Sequence, residues 1–178
     1  AINAAGDLSE RAAREADQTL AATRRATAEA TRSLREGFEA MVKANVGDYR
    51  NMAAVQNVVS DGSLCAAGDR RKSGIDIPSN AWQRTTIDLA QSSELTLRFR
   101  ATTPHNPSFW QIYLSKPGFD AAAAPLSWNQ LELIHQQSDV PAEAGYYTLQ
   151  VSLPTDRSGQ AVLYTRWQRV DVVGEGFY

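Results

Sequence analysis

The chain has 178 residues, 43% of them apolar and 21% charged, with a formal net charge of −2. At this length roughly 70% of the unfolded surface can be buried, so a core forms without staples, and neither a disordered polymer nor a membrane protein fits. Eighteen basic and twenty acidic residues, one cysteine (Cys65) and two histidines (His105 and His135) exclude a nucleic-acid-binding basic field, an internal disulfide and cysteine-based zinc or redox chemistry. No apolar run approaches the ~20 residues of a membrane span, and none resembles the apolar core of a signal peptide.

Residues 7–44 read as one helical block. Asp7 and Glu10 have the spacing of a capping box, and Gly47 follows as a stop signal. Leu8, Ala12, Ala16 and Leu20 recur every four residues, as do Ala30, Leu34, Phe38 and Val42, which makes a thin apolar stripe. Seven basic and seven acidic residues interleave along residues 7–43, so the polar face is a solvated one. Residues 1–48 are therefore expected to form a long amphipathic helix, suited to self-association or to docking on a protein partner.

After Asn57 the character changes. Turn residues recur about every ten positions, with β-branched and aromatic runs between them. Thr85–Leu89, Leu95–Ala101, Phe109–Ser115, Tyr146–Leu153 and Ala161–Arg169 read as strands, and Leu131–His135 as a short strand or turn. Five or six short strands without helices between them predict a mainly β fold, an antiparallel β-sandwich over residues 49–178.

Several segments of this region are more specific than its periodicity. They are Asp61–Gly68, Thr102–Ser108 running into Phe109–Phe119, Pro125–Trp128, Leu131–Leu133, Arg157–Gly159, Val162–Arg169 and Gly174–Tyr178. In this order and spacing they resemble the bacterial lytic polysaccharide monooxygenases of auxiliary-activity family ten, also called chitin-binding type-4 domains.

That resemblance implies a fibronectin-like or immunoglobulin-like sandwich with one copper on a flat, exposed face, held by an N-terminal histidine and a second histidine. His105, in Thr103-Pro104-His105, matches the second histidine and would be a metal ligand. Phe177 matches the axial aromatic and Thr103 the small residue beside the axial site; Glu175, close before Phe177, reads either as a carboxylate near the copper or the substrate or as a solvated loop acid. The implied partner is an insoluble polysaccharide, chitin or cellulose, cleaved oxidatively outside the cell. Imidazole nitrogen suits copper in this role. The first brace position is unmatched: Ala1 opens the sequence, and no histidine precedes His105. Activity as an enzyme is therefore left open, and a non-catalytic carbohydrate-binding module, or a fragment or fusion, is the alternative. The final strand expected after Tyr178 is also unmatched, which suggests C-terminal truncation.

The remaining singular residues read more plainly. His135 follows the apolar Leu131–Ile134 stretch and is expected to be a structural or surface histidine. Cys65 is expected to be a small buried hydrophobe or an orphaned thiol. Trp110, Tyr113 and Trp167 are expected in the core. Trp128, between Ser127 and Asn129, is expected at the surface as a substrate-binding aromatic.

Overall fold

The structure, a computed structural model, describes residues 41–178 together with Arg14, Asp17 and Gln18. The helix expected over residues 7–44 lies outside the described residues except at those three helical positions and at its last few residues. There the expectation fails, because Lys43–Asn45 form strand β1. Val42, Ala44 and Val46 are buried while Lys43 and Asn45 face out, a period of two that a sheet edge satisfies and a helix does not.

The chain continues through helix α1 (Met52–Val58), β2 (Glu94–Arg100), β3 (Ser108–Ser115), β4 (Leu131–Ser138), β5 (Ala142–Glu143), β6 (Tyr146–Ser152), β7 (Leu163–Arg169) and β8 (Glu175–Phe177). Short 3-10 helices occupy Arg70–Asp76 and Trp128–Gln130. One sheet has the order β1-β8-β7-β3-β4 and the other β2-β6-β5, and every pairing is antiparallel. The mainly β sandwich is thus as expected, with three very short strands that periodicity did not reveal.

β2 shows why these residues make a sandwich. Leu95, Leu97 and Phe99 turn inward and lie opposite Val151, Leu149 and Tyr147 of β6, so both strands present one apolar face. That face packs on Trp110 and Ile112 of β3 and Trp167 of β7. Phe99 stacks on Trp110 with centroids 4.5 Å apart, and Trp110 on Trp167 at 5.6 Å. Full burial of side chains of this size contributes on the order of 2 kcal/mol each.

The larger sheet is buried on its other face too. There Tyr113, Tyr164 and Tyr178 meet Val55 of α1 together with Val59, Leu64, Leu126 and Trp128. α1 is capped by Asn51, whose side chain accepts the Ala53 N–H at 3.0 Å. Arg166 enters this second core almost fully buried. Its guanidinium donates to Tyr49 O at 2.8 Å, Gln111 Oε1 at 3.0 Å and Gln168 Oε1 at 3.0 Å.

Thr85–Leu89 is not a strand. Residues 81–88 are exposed on both sides, so alternation there has no face to bury and the segment runs irregularly into β2. Leu131–His135, by contrast, belongs to the eight-residue edge strand β4. The approach of β1 to β8 depends on Gly174, which sits at φ +66; a methyl there would lie 1.9 Å from Val46 O. Among the described residues no helix is long and apolar enough to cross a membrane.

Candidate functional site

At one end of the sandwich a cleft of about 390 Å³ opens between the β2–β3 loop and strands β1, β6, β7 and β8. The loop supplies Ala101, Thr102, Thr103 and His105; β8 supplies Glu175 and Phe177. Lys43, Tyr147 and Trp167 complete the lining. Four residues singled out by motif, some seventy positions apart in the chain, therefore share one cleft: Thr103, His105, Glu175 and Phe177. Antiparallel pairing of β7 with both β3 and β8 brings them together, since it sets the start of β3 and the end of β8 on either side of Trp167.

His105 is held from two sides. Its backbone N–H donates to the Tyr147 hydroxyl at 2.8 Å, and its ring lies 6.3 Å from that of Trp167 at an interplanar angle of 27°. Trp167 in turn stacks on Phe177 at 5.2 Å. Burial pushes the Tyr147 phenol above its usual range, opposed by the bond from His105.

Glu175 is the electrostatic centre of the cleft. One carboxylate oxygen accepts from Lys43 Nζ at 2.7 Å, and the other pairs with Arg169, whose second nitrogen reaches Asp171 at 2.8 Å. The bond from Lys43 is the main influence holding the Glu175 carboxyl below the usual carboxylate range. Burial opposes it and Arg169 adds to it.

The residues present were compared with the copper brace that the sequence resemblance implies. They bring one imidazole, His105. The sequence's other histidine, His135, lies half-buried on β4 with its ring 3.4 Å from Gln137 Oε1 and does not line the cleft. Among the described residues no three His, Cys, Asp or Glu side chains converge. Lys43, whose amine nitrogen also belongs to the cleft lining, is tied to Glu175. This donor set does not fit a two-imidazole brace.

Trp128 is not part of the site. It is buried in the second core, where its indole N–H donates to Val59 O at 2.7 Å and its ring meets Tyr164 edge-on at 5.7 Å. Its polar neighbours suggested an exposed loop. Instead they close a 3-10 turn, with the Ser127 N–H donating to Gln130 Oε1 at 3.1 Å, and that turn drives the ring inward. Trp110, Tyr113 and Trp167 are buried as expected.

Cys65 is a free thiol, pushed up to about 11 by burial first and by the neighbouring Asp76 second. That environment suits an inert thiol and not a nucleophile. Lys43 was missed from the sequence because its place in the cleft depends on β1 pairing with β8. No local signal reports a pairing between residues 132 positions apart.

Comparison with known proteins agrees with the geometry. The family model described as lytic polysaccharide mono-oxygenase, cellulose-degrading, matches residues 6–178. Spindolin of Choristoneura biennis entomopoxvirus is 35% identical over 153 residues, 74% of this chain and 44% of that protein. Chitin-binding protein CbpD of Pseudomonas aeruginosa is 34% identical over 125 residues, 69% of this chain and 32% of that protein. The chain thus spans less than half the length of these relatives. Among solved structures, the fusolin of Anomala cuprea entomopoxvirus spindles superposes with a TM-score of 0.66 at 33% identity, covering 76% of this chain and 60% of that one. With nearly the whole sequence matched and its motif residues gathered in one cleft, this chain belongs to the lytic polysaccharide mono-oxygenase family.

Proposed function

We propose that this chain binds an insoluble, neutral polysaccharide, chitin or cellulose, through the face around His105, and that it does so outside the cell. The observation that carries the reading is the convergence of Thr103, His105, Glu175 and Phe177 on one cleft. The names of the matched family and of the chitin-binding relative support the ligand class. In this reading His105 is the imidazole that the chain offers to copper, Phe177 and Thr103 lie beside the axial position, and Glu175 is the adjoining carboxylate. The residues before strand β1 are assigned, on sequence alone, to an arm for self-association or a protein partner.

Oxidative cleavage is the chemistry copper supplies in this family. Here it requires nitrogen donors beyond those of the described residues, so binding is the activity assigned to the chain as described. The test is depletion of the protein from solution by β-chitin and by crystalline cellulose, with product analysis after addition of copper, ascorbate and peroxide. Retention on either polymer without released oxidised oligosaccharides is the expected result. Failure to bind both overturns the reading, and copper-dependent release that is lost in His105→Ala replaces it with the enzymatic one.

A further inference from the structure

The mismatch between this cleft and a copper brace has a positive counterpart in Lys43. β1 pairs with β8 so that Lys43 lies opposite Phe177, and the Lys43 side chain enters the cleft that His105 lines. An ammonium has three N–H donors and no lone pair for a metal. Among the described residues Glu175 takes one of those donors, at 2.7 Å. Glu175 is itself shared with Arg169, and Arg169 with Asp171, so two positive and two negative groups form a continuous row across β1, β8 and β7. Their charges cancel.

A dication placed here would meet an ammonium already anchored at the mouth. A neutral sugar would meet hydrogen-bond donors and acceptors held in fixed positions, with Phe177 as an apolar wall. The Lys43 side chain is about half exposed at 54% and Glu175 is mostly covered at 15%, so the pair presents donors to solvent while its base stays rigid. Hydrogen bonds made to a charged partner are roughly twice as strong as neutral ones.

We propose that Lys43, braced by Glu175, is a metal-independent polysaccharide contact, donating to hydroxyl or amide oxygens of a neutral chain laid across the His105 cleft. This rests on the polysaccharide-binding reading and assigns part of that binding to an ammonium where the family would place a metal.

The experiment is a depletion isotherm of the full chain on β-chitin and cellulose, in EDTA and in its absence. Lys43→Met keeps the aliphatic stem and removes the donors, and is expected to weaken binding about tenfold, the effect of one charge-assisted hydrogen bond. Lys43→Arg keeps the donors and the pair to Glu175, and is expected to stay within about threefold of wild type. Lys116→Met, on the β3–β4 loop at the far end of the sandwich, is the control and is expected to bind as wild type does. Thermal melts confirm that each variant folds. EDTA is expected to leave wild-type binding unchanged. Unaltered binding by Lys43→Met, equal loss in Lys43→Met and Lys43→Arg, or loss of wild-type binding in EDTA overturns this inference while the polysaccharide reading stands. A wild type that binds neither polymer overturns both.

Discussion

The backbone N–H of His105 donates to the side-chain hydroxyl of Tyr147 at 2.8 Å, so the loop bearing the site's imidazole is fastened to the smaller sheet while its ring rests near Trp167 of the larger one. The two sheets are joined at the cleft by this bond as well as by the core beneath it. Tyr147 is almost fully buried and pairs with Phe99 in register, so its hydroxyl has little freedom to seek another partner.

Tyr147→Phe is therefore expected to leave a partly buried N–H without its acceptor. The cost is about 1–2 kcal/mol, read as a shift in the urea midpoint at unchanged slope. Faster amide exchange at His105 with little change in the core strands is the accompanying sign. A variant with wild-type exchange at His105 would show that the bond does not hold the loop.

Trp128→Phe separates packing from recognition. The substitution keeps an aromatic ring against Tyr113 and Tyr164 but removes the donor to Val59 O. A loss of about 1–3 kcal/mol of stability is expected from the unpaired carbonyl and the smaller ring. Binding to chitin or cellulose is expected to be unchanged, because the residue faces the core on the side of the sheet away from the cleft. Reduced polymer binding with unchanged stability would return Trp128 to the surface role its sequence neighbours suggest.

Cys65 fixes a pH dependence in the alkaline range. Its thiol ionises at about 11 in the folded chain against 9.0 ordinarily, because burial and then the nearby Asp76 carboxylate disfavour the thiolate. A raised value means the folded state holds its proton after the unfolded state has released it. The contribution is complete below pH 9 and is lost as pH rises towards 11. Cys65→Ala is expected to flatten the decline of melting temperature over that interval. Disulfide-exchange labelling of the native protein at pH 8 is expected to run at least about tenfold slower than in denaturant; equal rates would show an accessible thiol.

The residues whose environment is local or one-sided were legible beforehand. β2 alternates cleanly because one of its faces packs and the other is wet, and Leu95, Leu97 and Phe99 therefore announce themselves. β3 and β7 were legible as apolar runs, although their burial on both faces conceals which side meets which layer. Thr85–Leu89 carried strand-forming residues but found no partner surface. β1, with three residues, is too short for any period to show.

The motif order from Asp61 to Tyr178 was enough to indicate the family, the antiparallel sandwich and the residues of interest at Thr103, His105, Glu175 and Phe177. The sandwich was legible from local alternation, because each strand's pattern is written in neighbouring positions, whereas the family and its site residues came from the resemblance of the motifs. Tertiary structure alone decided that Trp128 turns inward and that Lys43 joins the cleft. It also decided that Glu175 spends its charge on Lys43 and Arg169. Those outcomes depend on which strands lie side by side, and a cross-strand pairing between distant residues leaves no trace in the spacing along the chain.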